Sequence, residues 1–154
     1  MIDKPQITQT KAQPAAVIRL AIPFVDMRKH VGPAIGEVLA LVKAQGIGPA
    51  SAWYIYVHKL GGEQIDFEVG VPVTDPVKPA GRIQAGSLPA TKVARTIYHG
   101  PYEGIAAAWT EFSEWITKNG HKPGEAQWDV YLSGPESGSD SSKWRTQLNK
   151  PLLG

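Results

Sequence analysis

The sequence predicts an α+β domain built from two copies of one strand-strand-helix-strand-strand unit, with antiparallel sheet and two main helices. Three observations carry this reading. Four short segments recur in the same order in the two halves. Each half holds one apolar stripe at helical spacing. The other apolar stretches are short and bounded by Pro and Gly.

The repeats come first. Val17-Ile18-Arg19-Leu20-Ala21-Ile22 lines up with Val93-Ala94-Arg95-Thr96-Ile97, and His30-Val31-Gly32-Pro33 with His99-Gly100-Pro101. Trp53-Tyr54-Ile55-Tyr56 then matches Trp128-Asp129-Val130-Tyr131, and Val69-Gly70-Val71-Pro72-Val73 matches Leu148-Asn149-Lys150-Pro151-Leu152. The halves run over about 5–75 and 81–154, joined by a Pro- and Gly-containing connector at 74–81. Together they make one domain over 1–154.

The elements follow from local chemistry. Gln6–Lys11 and Ile83–Leu88 read as leading strands, ended at matching places by Pro14 and Pro89. Ala15–Pro23 and Lys92–Tyr98 read as the strands before the helices. In the first helix Ile35, Val38, Leu39 and Val42 form a stripe that Pro33 opens and Gly46 closes. In the second, Ile105, Ala108, Trp109, Phe112, Trp115 and Ile116 form a longer stripe, with Pro101 before it and Gly120 after it. Both stripes are expected to pack in a core. Ala52–Lys59 and Gln127–Leu132 read as the strands after the helices, and Gln64–Val73 and Trp144–Leu152 close each half.

Composition narrows the class. With 154 residues, 42% hydrophobic and 19% charged, the chain has the make-up of a folded domain, not a disordered one. It has no Cys, so no disulfide is available. A net charge of +2 without a basic cluster does not point to nucleic acid. No run of 18 apolar residues suggests a membrane span, and the first residues do not resemble a secretory signal. The expected location is cytoplasmic.

The matched strands carry the informative side chains. Alternation places Asp129 and Tyr131 on one strand face, and Tyr54 and Tyr56 on one face of their own strand. A pseudo-twofold axis between the halves would bring the four together as three phenols around one carboxylate. Aromatic faces attract cations, so such a group suits an organic cation. The other reading, an ordinary solvated face with Asp129 as a surface acid, stays open beside it. Tyr98, Tyr102 and Trp109 flank the start of the second helix and add aromatic walls, with core packing as the alternative for Trp109. Glu68 is either a second acid of the site or, preferably, solvent-facing.

Other candidates are weaker. His30, His58, His99 and His121 show no metal-ligand spacing, and no metal or cofactor is expected. His30 and His99 precede Gly-Pro pairs and suit turns or caps. Gly61-Gly62 reads as a hairpin turn. The serines of 133–142 have no evident base.

His99-Gly100-Pro101-Tyr102, Ala108-Trp109, Trp115, Gly120, Trp128-Asp129-Val130-Tyr131 and Trp144-Arg145-Thr146 resemble the GyrI-like small-molecule-binding family, which includes effector-binding domains of AraC-type and MerR-type regulators. Phe67-Glu68-Val69-Gly70-Val71-Pro72-Val73 resembles that family's first-half motif. The resemblance implies a duplicated SHS2-like fold with a ligand groove between the halves. It implies that Asp129, where the family more often has Glu, contacts lipophilic cations, with Tyr131 as the motif tyrosine. A stand-alone binding protein for hydrophobic, cationic or aromatic molecules is the preferred expectation, with Asp129, Tyr131, Tyr54, Tyr56, Tyr102, Trp109 and Glu68 as ligand-binding residues. A hydrolase opening cyclopropane-bearing toxins, with Asp129 as base and Tyr131 as helper, is the alternative. Interaction with DNA gyrase is a third. The domain begins almost at Met1, so no preceding DNA-binding domain and no direct nucleic-acid contact are expected.

Overall fold

A computed structural model describes residues 2–153 and is α+β, with antiparallel pairing throughout and two main helices. The chain forms two compact units. Unit 2 comprises Lys11–Ala90, and unit 1 comprises the first ten residues together with Thr91–Gly154.

In unit 2, β2 (Gln13–Pro23) leads into α1 (Met27–Ala44), followed by β3 (Tyr54–Gly61), β4 (Gln64–Pro72) and β5 (Gln84–Leu88). The sheet order is β5-β2-β4-β3. Helix α1 packs on β2 and β4 and buries Ala34, Val38 and Val42. The apolar face it covers carries Ile55 and Val57 of β3 and Ile65, Phe67, Val69 and Val71 of β4, all buried.

Unit 1 repeats the plan with β6 (Lys92–His99), α2 (Ile105–Lys118), a two-residue β7 (Lys122–Pro123), β8 (Gln127–Ser133) and β9 (Arg145–Leu153). Its sheet order is β1-β6-β9-β8, where β1 is Gln6–Gln9. The core joins Ala108, Phe112 and Ile116 of α2 to Ala94, Tyr98, Leu148 and Leu152 of the sheet.

The leading strands are exchanged relative to the repeat boundaries at about 5–75 and 81–154. Strand β1 pairs with β6, and β5 pairs with β2. Each outer strand thus completes the half opposite to the one in which the repeat boundaries place it. Where β1 leaves its sheet, Thr10 and Thr91 clasp: the Thr10 N–H and hydroxyl both donate to the Thr91 carbonyl (2.9 and 3.0 Å), and the Thr91 N–H donates to the Thr10 hydroxyl (3.0 Å).

Three local expectations change. Pro33 does not open α1; the helix begins six residues earlier, and His30 lies inside it instead of at a turn. Pro33 is exposed, so the carbonyl of Lys29 that loses its helical donor faces water. Pro14 does not end a strand but is the second residue of β2, near the strand start, where a missing donor is tolerated.

The largest change concerns register. Pro72 pairs with Ala15, and Pro151 with Val93. Matching Pro72 to Pro151 therefore equates Ala15 with Val93, two residues from the sequence alignment. On the next strand Tyr54 pairs with Gly70, and Trp128 pairs with Asn149, the residue matched to Gly70. So Tyr54 corresponds to Trp128, Ile55 to Asp129 and Val57 to Tyr131. Both strands carry a bulge at the same place, after Val57 and after Tyr131. The Trp-x-x-Tyr match was one residue out of step, and a one-residue slip turns every side chain to the opposite face.

Candidate functional site around Asp129

Asp129 and Tyr131 lie on the α2 side of unit 1, alternating with Trp128 and Val130 on the other side. Trp109 on α2 reaches down to them. Its indole Nε1–H donates to Asp129 Oδ1 at 2.8 Å, and the Tyr131 O–H donates to Asp129 Oδ2 at 3.3 Å. Tyr102, in the 3-10 turn before α2, meets the Tyr131 ring edge-on with centroids 5.6 Å apart. Trp144 tilts against Tyr102 at 5.1 Å, and Trp109 against Phe112 at 5.6 Å. One carboxyl thus receives two donors within an aromatic surround.

The local sequence explains this convergence. The first apolar turn of α2 points Trp109 at the sheet, and the alternation of β8 brings Asp129 and Tyr131 to meet it. Gly134 has no Cβ to collide with the Tyr102 hydroxyl, so the phenol lies against the loop. Glu136 caps that loop by accepting from the Gly134 N–H at 3.0 Å. Thr146, cross-strand from Tyr131, is buried, and its hydroxyl has no hydrogen-bond partner among the described residues.

The electrostatics follow from burial. Asp129 retains some exposed area, yet its neighbours remove most of its hydration, and its carboxyl is pushed up from 3.8 to about 7. The bonds from Trp109 and Tyr131 act in the opposite sense and only partly offset this desolvation. Burial, reinforced by the charge of Asp129, raises the Tyr131 phenol well above its ordinary value. The carboxyl therefore changes charge near neutrality, held by donors that favour the ionised form.

The sequence-selected residues divide between the units. Asp129, Tyr131, Tyr102 and Trp109 form the group just described. Tyr54, Tyr56 and Glu68 belong to unit 2, on the sheet face that corresponds to Trp128 and Val130. The symmetry argument that grouped Tyr54 and Tyr56 with Asp129 and Tyr131 therefore fails, because it relied on the shifted alignment. Glu68 is not the solvent-facing residue preferred from the sequence: its side chain is 17% exposed and hydrogen-bonds His58. Tyr98 is a core residue whose O–H donates to the Pro101 carbonyl at 2.8 Å. Sequence reasoning missed Trp144 as a wall and His58 as the partner of an acid. The Gly61-Gly62 pair was the available signal for His58, since a turn one residue later, at Gly62-Glu63, folds β3 back on β4.

Among the described residues no group of three His, Cys, Asp or Glu side chains gathers as a metal set, and no helix is long and apolar enough to cross a membrane. No match was found among curated proteins. Among solved structures, the EcmrR C-terminal domain superposes with TM-score 0.80 at 20% identity, covering 97% of each chain. EcmrR in its DNA complex gives 0.81 at 24% identity, with 97% of this chain covered, and the chain spans 57% of the EcmrR chain. SAV2435 bound to tetraphenylphosphonium gives 0.67 at 11% identity, covering 99% of this chain and 95% of that one. A hydrolase from Listeria innocua gives 0.67 at 10% identity, covering 97% and 92%. These likenesses are of fold. The sequence model of the GyrI-like small molecule binding domain matches residues 3–152, and the chain belongs to that family.

Proposed function

We propose that this small-molecule binding domain takes hydrophobic organic cations at Asp129, with Tyr131, Tyr102, Trp109 and Trp144 as its aromatic surround. The observation that carries the reading is a desolvated carboxyl held by the Trp109 N–H and the Tyr131 O–H. A charge in that position is unfavourable alone and becomes favourable when a cation replaces the lost hydration. Aromatic rings add about 0.5–2 kcal/mol per cation contact. The tetraphenylphosphonium bound by SAV2435, a protein of the same fold, is a ligand of this chemical class.

Cation binding favours the ionised carboxylate, so affinity rises with pH through about 7. Calorimetric titration with tetraphenylphosphonium checks this. Asp129→Asn is expected to lower affinity about tenfold at about pH 8 and much less at about pH 6, where the wild-type group is already largely neutral. Equal affinity in both proteins at the higher pH removes Asp129 from the role.

Hydrolysis is the second reading, favoured by a carboxyl poised near neutrality beside a phenol. A general base works best with its pKa near the operating pH. Asp129 would take a proton from water, with Tyr131 positioning it. Incubation with a cyclopropane-bearing alkylator and product analysis tests this: ring-opened product that disappears in Asp129→Asn supports it, and none above the uncatalysed level rejects it.

A further inference from the structure

Unit 2 holds an acid that the group around Asp129 does not use. Glu68 lies on β4 between Tyr56 of β3 and Arg19 of β2. His58 stands at the β3 bulge, where two residues oppose one, and its Nε2 hydrogen-bonds Glu68 Oε2. The Tyr56 ring meets His58 edge-on with centroids 4.9 Å apart. Tyr54 lies across Gly70, where any Cβ would collide with its ring, and the other Glu68 oxygen lies over Gly86, 3.3 Å from where a Cβ would stand. Gly70 therefore makes room for the Tyr54 ring, and Gly86 makes room first for Val17 and then for the Glu68 oxygen. Glu68, after desolvation, raises the phenols of both Tyr54 and Tyr56, so its charge is felt at each ring.

We propose that this face of unit 2 is a second organic-cation site, in which Glu68 is the anion, Tyr56 the half-buried ring beside it, Tyr54 its buried backing, and protonated His58 the built-in competitor. The proposal shares a ligand class with the reading above but none of its residues. Two further charges face the pair: Arg19, cross-strand from Glu68, feels its charge but is bonded by Asp66 in a two-bond fork (3.0 and 2.8 Å), and Asp66 is in turn coupled to His58, while β5 carries no charged side chain. Imidazole changes charge between about pH 5 and 8. A charged His58 completes an ion pair with Glu68 and excludes a ligand cation. A neutral His58 leaves the carboxylate to the ligand. Ligand and proton are antagonists, and the coupling is reciprocal.

The test is an NMR titration of the His58 ring with and without saturating tetraphenylphosphonium, in the Asp129→Asn protein, which silences the other acid. The ligand is expected to lower the His58 midpoint by about one pH unit, equivalent to a tenfold difference in ligand affinity between the two His58 states. Adding Glu68→Gln cancels the shift. His58→Asn, a second variant, flattens the pH dependence of the remaining binding. An unmoved midpoint at saturation, or an equal shift with Glu68→Gln, overturns the proposal. Loss of all binding in Asp129→Asn overturns it too and leaves the Asp129 reading standing. Binding abolished by Glu68→Gln alone and untouched by Asp129→Asn supports it and defeats the Asp129 reading.

Discussion

The two units share strand order, register and even the position of a bulge, yet they place their acids on opposite faces of the same plan. In unit 2 the helix-side positions of β3 are Ile55 and Val57, both buried, and Glu68 lies on the other side. In unit 1 the corresponding helix-side positions are Asp129 and Tyr131, and the position matching Glu68 is Gln147. Unit 2 therefore shows how this fold fills its core when the helix side has only a packing role. Unit 1 shows the same place converted to polar chemistry, at the cost of desolvating a carboxyl. The conversion depends on α2 supplying Trp109, because α1 has no Trp or Tyr to donate. A polar group in a core position is tolerable only where donors meet it.

The largest expected effect comes from forcing unit 1's choice on unit 2. Ile55→Asp places a carboxyl under a helix with no indole or phenol, and it is expected to cost about 3–5 kcal/mol at neutral pH, less in acid, measured by urea denaturation. A cost below about 1 kcal/mol would break the comparison, since the Trp109 bond would then be unnecessary. Next comes the reverse change. The folded carboxyl of Asp129 sits at about 7 against an ordinary 3.8, so the folded state holds its proton more tightly. The resulting stabilisation is complete below the ordinary value and is lost as pH rises through about 7. Asp129→Asn should remove that fall, gaining at most about 4 kcal/mol over wild type at about pH 8 relative to about pH 4. Parallel denaturation curves at the two pH values check it. The smallest effect belongs to the exposed Arg82–Glu37 fork that ties the residue after the connector to α1 at 2.6 Å. Arg82→Ala should leave the thermal unfolding midpoint unchanged, because solvent screens such pairs. A clear drop would mean that unit 2 depends on surface charge where unit 1 depends on its core.

Much of this was legible in the chain. The α2 stripe, the closing strands and the duplication rest on strong local signals: apolar periodicity, Pro and Gly punctuation, and repeated motifs. The pairing of Asp129 with Tyr131 follows from strand alternation alone. What misled was alignment of the repeats by their tryptophans. Trp53 lies before β3, whereas Trp128 lies inside β8, and the correct partner of Trp128 is Tyr54, equally buried at 1% against 2%. Pro33 misled similarly, because an exposed proline within a helix looks from sequence like a helix start.

The amino-acid order by itself determined the two helices, the alternation of each strand and the residue types available for charge and aromatic contact, because these depend on neighbours a few positions apart. Only the tertiary structure decided which unit each outer strand completes, that Trp109 meets Asp129, and that His58 meets Glu68. Those pairings depend on register and helix placement, which are settled by burial summed over a whole sheet, and a shift of one residue leaves the local pattern intact while reversing every face.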